Sequence, residues 1–400
     1  MVGIAQQAGV RSVGLGCGIV MLGFAFTLGG LIAPAPASPP GQLAASPSGD
    51  QGVSAPSGTA TTSVVNGRPT SISEWPWQVA LLEGERSRPR ANPRARFFCG
   101  GSLIAPDLVL TAAHCVAPQN RRQVRRIEVV SGRTFINRES TGAVSAVKRA
   151  ILPVDSQGRR RFREPGGVPR WDVALLELRA PLASATIRIS GPNESEASKP
   201  GRPVFSTGWG VTAPRNRKTS NRLRAASQVM LPNRLCRSTT GRFYQGLTMN
   251  CLGGPGANSS TCFGDSGGPL VAAVGGEFRL VGLTSNGDPY CRPELPSVDA
   301  RISEGPLRRW IRTKALAVSG TDVVGHGGSI APAPQWCRVP NLRNLTLPRA
   351  RRLLGSRGCR LGRTHPHYFS GLRRGRISFS RILAGWYAPP NARISVWVAR

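Results

Sequence analysis

The chain has 400 residues, more than one ordinary hydrophobic core accommodates, so two or more domains are expected. Its 53 Lys+Arg stand against 20 Asp+Glu, a formal charge of +33, and only four of the cations are Lys. Such a field favours polyanions, whether nucleic acid, acidic wall polymers or acidic lipid headgroups, although a genome rich in Arg codons gives the same balance with no ligand. No zinc-finger spacing, RNA-binding aromatic motif or long basic helix supports dedicated nucleic-acid readout, and a nucleic-acid binder, whose binding would collapse with salt, is a third reading.

Residues 1–37 read as an export signal. Arg11 precedes an apolar, Gly-rich run from Val13 to Ala33, and Ala35-Pro36-Ala37 offers a small-residue cleavage site. The run is just long enough for a retained anchor, since a span needs ~20 apolar residues. Cleavage is the preferred reading, which leaves no stable membrane span and a secreted, extracellular chain. Cys17 precedes most of the run and reads as one of its apolar residues. Residues 38–63 are Pro, Ser, Gly, Ala and Thr with one acid, Asp50, and no aromatic residue. They cannot bury enough apolar surface to offset their ordering entropy, and read as a flexible propeptide or spacer.

Beyond residue 64 the pattern changes to short strands. Phe97 to Ile104, Leu108 to Leu110, Ile127 to Val130 and Val173 to Leu178 are β-branched or aromatic and separated by turn residues. A second set, Pro203 to Trp209, Pro269 to Ala272 and Phe278 to Leu283, follows a polar connection near 190–201. Residues Glu304 to Lys314 predict a closing helix with Leu307, Trp310 and Ile311 on one face. Within this frame, Gly264-Asp265-Ser266-Gly267-Gly268 places glycines about an acid–serine pair. The backbone can turn tightly there, expose the Ser266 hydroxyl and aim its N–H groups at one point. A serine hydroxyl is inert without a base and an acid to orient that base. Of the four histidines, His114, His326, His365 and His367, only His114 sits in an apolar run, Leu110-Thr111-Ala112-Ala113-His114-Cys115. The acid is Asp172, a single carboxylate leading into Val173-Ala174-Leu175-Leu176.

Cys99-Gly100-Gly101-Ser102-Leu103, Thr111-Ala112-Ala113-His114-Cys115, Asp172-Val173-Ala174-Leu175-Leu176, Thr207-Gly208-Trp209-Gly210 and Gly264-Asp265-Ser266-Gly267-Gly268-Pro269 stand in the order seen in trypsin/chymotrypsin-like serine proteases. Residues ~64–317 resemble that family. The resemblance implies an all-β, chymotrypsin-like fold of two antiparallel six-stranded β-barrels with a C-terminal helix, the site lying at their seam. It implies a serine-type endopeptidase acting on protein or peptide substrates, with catalytic His114, Asp172 and Ser266. Gly264 and Ser266 would supply the oxyanion hole, and Ser285 would support the acid. A new N-terminus at Val64 would pair with Asp265 after zymogen cleavage; the preceding Ser63 disfavours a trypsin-like activator. No metal or cofactor is implied, and the protease part has no Cys-x-x-Cys or paired His spacing.

Setting Cys17 aside from nine cysteines leaves eight, an even number that suits export. The family implies Cys99–Cys115, Cys236–Cys251 and Cys262–Cys291, and the remaining pair is Cys337–Cys359. Each loop closure is worth about 3 kcal/mol in the chain-entropy account. The base of the primary pocket would fall at Ser260, where trypsin-like members carry an Asp, so tryptic cleavage is disfavoured. Gly287 would leave one wall open and Ser297 would narrow the pocket, which predicts an uncharged residue on the acyl side of the cut. Asn286 departs from the family's usual aromatic. Arginine runs at 86–96, 121–126 and 159–163 lie in insertions, and either steer acidic substrates or form a solvated face.

Residues 318–336 are rich in Gly, Ser, Ala and Pro and read as a linker. After it, Cys337-Arg338-Val339-Pro340-Asn341-Leu342, Thr346 to Leu354 and the alternating Arg393-Ile394-Ser395-Val396-Trp397-Val398 resemble a PASTA module over 337–400. That implies a small α+β domain, one helix on a three-stranded sheet, in a family that binds peptidoglycan or related wall material. Thr346 would cap the helix, with Leu347, Ala350 and Leu354 on one face. The stretch holds 14 Arg and no acid, so anionic wall polymers suit it as partners, while a spacer with no ligand is the rival reading. His365 and His367 flank Pro366 and read as loop residues. For the whole chain, the rival to an endopeptidase is a catalytically silent polyanion- or wall-binding protein on a protease scaffold.

Overall fold

The computed structural model describes residues 67–212, 217–253, 259–327, 337–368, 371–381, 384, 387–388 and 393–400. Val64, the export signal and the 38–63 spacer therefore lie outside the described residues.

The short strand β1 (Arg68–Pro69) precedes a closed barrel of β2 (Gln78–Glu83), β3 (Phe97–Ala105), β4 (Leu108–Thr111), β5 (Ile127–Ser131), β6 (Ala143–Ile151) and β7 (Ala174–Leu178), ordered β2-β3-β4-β7-β6-β5. Continuous apolar runs make β4 and β7 wholly buried, whereas β6 keeps a polar outer face. Two four-residue helices, α1 (Pro93–Arg96) and α2 (Arg121–Val124), sit in the insertions, each capped by an asparagine side chain.

The second half contains β8 (Pro203–Gly208), β9 (Arg224–Val229), α3 (Asn233–Thr240), β10 (Met249–Gly253), β11 (Pro269–Val274), β12 (Glu277–Asn286) and β13 (Pro296–Arg301). A second closed six-stranded barrel is not what forms. The sheet is open and seven-stranded, ordered β1-β9-β8-β11-β12-β13-β10, because β1 adds an edge beyond β9. The sheet curls until β10 meets the chain leaving β9, through the single bridge Met230–Leu252 and the bond from Leu231 N–H to Cys251 O at 2.7 Å. The result is a half-barrel rather than a ladder continuous around the circle.

The closing helix α4 spans Gly305–Ser319 and buries Leu307, Ile311 and Ala315. The stretch that composition marks as a linker begins inside this helix. Ile189 N–H then donates to Val323 O and Gly325 N–H to Ile189 O, both at 2.8 Å, and Val323 and Val324 are buried. Two valines that find a neighbouring backbone to pair with outweigh the local bias towards disorder.

The C-terminal part contains β14 (Cys337–Arg338), α5 (Leu347–Gly355), β15 (Arg360–His367), β16 (Ile377–Ser380), β17 (Tyr387–Ala388) and β18 (Arg393–Ala399). Its sheet is ordered β15-β18-β16, with β15 parallel and β16 antiparallel to β18, and β14 pairs with β17. Ala350 and Leu354 of α5 are buried in one apolar cluster with Ile377, Ile394 and Val396. Thr346 holds the N-cap position, but its side chain makes no capping bond; Pro348 opens the helix instead. His365 and His367 are not loop residues. Both lie in β15, His365 stacked at 4.9 Å on Trp397, which stacks in turn at 4.5 Å on Phe379. Among the described residues no helix is long and apolar enough to cross a membrane.

Four disulfides join Cys99 to Cys115, Cys236 to Cys251, Cys262 to Cys291 and Cys337 to Cys359.

Candidate active site

His114 sits in a single 3-10 turn, Ala113–Cys115, directly after β4. The Cys99–Cys115 bridge ties that turn to β3, and Gly100 N–H on β3 donates to Ser266 O at 2.8 Å. The base and the nucleophile loop are thus fixed to one strand.

Asp172 enters β7 through a strained turn. Trp171 before it has φ +54°, a left-handed conformation costly for a bulky side chain, and the Arg161 guanidinium lies 4.5 Å from the centre of its ring. Asp172 is 2% exposed and accepts three hydrogen bonds. Oδ1 accepts from His114 N–H at 2.8 Å, and Oδ2 from Ser285 Oγ at 2.6 Å. Oδ2 also lies 2.7 Å from His114 Nδ1. Burial pushes the Asp172 carboxyl up, but the His114 charge, its hydrogen bond and the Ser285 hydroxyl outweigh burial and hold it below its ordinary value. Burial likewise opposes the charged imidazole, and Asp172, aided by Glu164, prevails and raises His114 above its ordinary 6.5.

The Ser266 loop needs its glycines. Gly264 has φ +93° and Gly267 φ +75°, and a Cβ on Gly267 would stand 2.2 Å from Thr111 Oγ1. Gly267 N–H donates to Thr284 O at 2.8 Å, and the Cys262–Cys291 bridge braces the loop from behind. His114, Ser266, Gly264 and Ser285 all line one cleft of about 850 Å³. Ser266 Oγ and His114 line the same cleft without sharing a hydrogen bond.

Asp265 is 1% exposed and accepts from Gly210 N–H at 2.9 Å and Cys262 N–H at 3.0 Å. Among the described residues it forms no ion pair, and burial, only partly offset by those two bonds, pushes its carboxyl up to about 6. Its expected partner, Val64, lies outside the described residues.

Of the expected pocket residues, Gly287 lines the cleft, while Ser260 and Ser297 are buried. Ser260 Oγ donates to Thr261 O at 3.0 Å, and a Cβ on Gly287 would lie 3.5 Å from Ser297 Cβ. Asn286 faces the cleft and donates to Gly167 O at 3.2 Å. Two residues of this region escape sequence reasoning. Glu164, in the insertion before Asp172, lines the cleft, and Asp299 on β13 lies buried beneath Ser285. A lone acid in the apolar-flanked run Pro296-Ser297-Val298-Asp299-Ala300 is the one signal that marks the second.

The arginine insertions are less free than their composition suggests. Arg96 is buried against Glu128 at 2.7 Å, Arg88 pairs with Glu83, and Arg160 donates to Ala117 O. Cys99, His114 and Cys115 come close enough to suggest a metal cluster, but the disulfide removes both thiolates as donors.

A buried acid holding an imidazole that shares a cleft with a glycine-flanked serine is the equipment of a serine peptidase, a hydrolase. The family described as Trypsin matches residues 64–311. The chain is also 31% identical over 239 residues to a protein called trypsin from Saccharopolyspora erythraea, covering 60% of this chain and 93% of that one. The chain belongs to the trypsin family of serine peptidases.

Proposed function

We propose that the chain is an exported serine endopeptidase made as a zymogen, in which Ser266, His114 and Asp172 perform the chemistry. Ser266 Oγ attacks the peptide carbonyl as His114 Nε2 takes its proton, and the same nitrogen then protonates the leaving amine. Asp172 holds Nδ1–H and stabilises the imidazolium. The N–H groups of Gly264 and Ser266 receive the oxyanion, each such donor being worth about 3 kcal/mol. Water repeats the sequence to release the acyl product. The observation that carries this reading is the 2.7 Å contact between His114 Nδ1 and Asp172 Oδ2, held by the Ser285 hydroxyl, with Ser266 on the same cleft.

Cleavage before Val64 is supported by the burial of Asp265, which pushes its carboxyl up to about 6 and which an incoming ammonium would turn into a buried ion pair ordering the oxyanion loop. Preference for an uncharged acyl-side residue is supported by Ser260, whose hydroxyl is turned to Thr261 O. The domain plan is a signal peptide at 1–37, a spacer at 38–63, a protease at 64–317 joined through 318–336, and a PASTA-like module at 337–400. Tethering of that module to anionic wall polymers is supported by its helix on a three-stranded sheet and by 14 Arg without one acid.

The test is cleavage of a protein substrate by the chain starting at Val64 beside its Ser266→Ala variant. Peptide-bond hydrolysis by the first alone is expected. Equal hydrolysis by both, or none by either, removes the catalytic assignment.

A further inference from the structure

Ser285 joins two buried carboxyls. Its Oγ donates to Asp172 Oδ2 at 2.6 Å, and its backbone N–H donates to Asp299 Oδ1 at 3.1 Å. Asp299, on β13, is 1% exposed, and its other oxygen, Oδ2, finds no donor among the described residues. Its register partner across the antiparallel β10–β13 pair is Asn250, which is fully buried. The Asn250 amide is fixed in orientation, because Nδ2 donates to Val281 O at 3.2 Å and a flip would set oxygen against oxygen. Asn250 Oδ1 is therefore an acceptor, and it too finds no donor among the described residues. The Thr284 and Ser297 hydroxyls make no hydrogen bond and supply neither oxygen. Directly opposed residues of such a ladder have Cβ atoms about 5 Å apart. Two buried acceptors without donors, on side chains that share one face of directly opposed strands, are costly as they stand, and one proton between them would satisfy both.

We infer that Asp299 is held as a protonated carboxylic acid whose Oδ2–H donates to Asn250 Oδ1. This neutral acid is a positioning residue: it anchors the Ser285 backbone and, through the Ser285 hydroxyl, Asp172. The surrounding charges agree. Asp172 is the ionised group nearest through Ser285, a like charge that disfavours a second carboxylate, with His114 beyond it. Arg301, on the same strand, spends its guanidinium on Met249 O, Asn233 Oδ1 and Glu304; β10 carries no charged side chain, and the two on β12, Glu277 and Arg279, pair with each other. Burial, with the Asp172 charge, pushes the Asp299 carboxyl up to about 7. Above that pH a carboxylate oxygen would repel the Asn250 carbonyl oxygen, and the shift of the Asp299 side chain would carry with it the Ser285 backbone, whose N–H binds the charged form more tightly.

The activity side of this inference rests on the proposed catalytic roles, whereas the proton itself does not. The experiment compares infrared spectra of the full chain and its Asp299→Asn variant at pH 6, and then kcat/KM against pH for the Val64-started forms. A protonated-carboxyl band present in the parent and missing from the variant is expected; identical spectra overturn the inference. The amide of Asp299→Asn reproduces the neutral acid's acceptor and donor, and Asp299→Leu reproduces neither. Asp299→Leu should lose about tenfold more kcat than Asp299→Asn, with KM moved less. The parent's fall in kcat above pH 7 should be absent from Asp299→Asn; a fall of the same shape in both overturns the positioning role. Should Asp299→Leu fail to fold, the Asp299→Asn comparison still decides. A missing band in Asp299→Asn together with undiminished hydrolysis by Ser266→Ala would sink the catalytic roles and leave the proton claim standing.

Discussion

His114 owes its basicity chiefly to Asp172, with a smaller share from Glu164. Because burial disfavours its charged form and Asp172 more than reverses that, its raised value puts the acid limb of kcat/KM above 6.5. Asp172→Asn removes the carboxylate, and is expected to cut kcat by about 10⁴ and move that limb down, read from a pH–rate profile. Stability responds to the two carboxyls on Ser285 with opposite signs. Asp172 is depressed in the fold, so its contribution is present above 3.8 and lost as pH falls through its folded value. Asp299 is raised to about 7, so its contribution is full below 3.8 and is lost as pH climbs towards 7. Denaturant unfolding of Asp299→Asn should therefore lack a decline of at most about 1.4 kcal/mol per pH unit that the parent shows in that window. Parallel curves would contradict this assignment. Ser266 and His114 are legible in sequence because each stands in a turn whose geometry the adjoining residues dictate. Asp299 is not, because its meaning comes from the β10–β13 register and from a backbone N–H, neither of which a residue pattern records.

At the level of elements, the nucleophile loop is held by contacts from outside itself. Gly267 has φ +75°, and a Cβ added there would stand 2.2 Å from Thr111 Oγ1, so Gly267→Ala should cost about 3 kcal/mol and most of the activity. Thermal unfolding with parallel kinetics reads both, and a stable, fully active variant would mean that the loop relaxes. Replacing Cys262 and Cys291 by serine frees a loop with a sequence separation of 29, a loss of roughly 3 to 4 kcal/mol by chain entropy. Retained activity with lowered stability would mark this bridge as a brace only. Strands such as β3 and β7 are legible from their apolar runs, and α4 from Leu307 and Ile311 at helical spacing. Closure is a different matter. Whether β10 completes a ladder or meets β9 at the single Met230–Leu252 bridge depends on curl summed over a whole sheet. Val323 and Val324 were hidden by their glycine-rich surroundings, since only the distant backbone of Ile189 makes them part of the protease body.

For the whole molecule, +33 is a property of surface rather than of site. Within the cleft the charge is acidic or neutral, with Glu164 and an Asp288 already paired to Arg292. The basic C-terminal part should therefore govern attachment and the cleft should govern cutting. A chain ending at 327 is expected to hydrolyse small peptides at an unchanged rate while losing salt-sensitive retention on an anionic polymer matrix. Equal retention would move the binding surface to the protease. A new ammonium at Val64 would lower the Asp265 carboxyl from about 6 and fix the loop that carries Ser266. The central claim is that the cleft hydrolyses peptide bonds through Ser266, and its most direct measurement is digestion of a diverse peptide mixture. The chain beginning at Val64 and its Ser266→Ala variant are run side by side, with every new terminus identified by mass spectrometry. Cuts after uncharged residues are expected, reduced by about 10⁶ in rate in the variant. Cuts after Arg or Lys would contradict the pocket alone, and no cuts at all from a chain shown to begin at Val64 would contradict the enzyme.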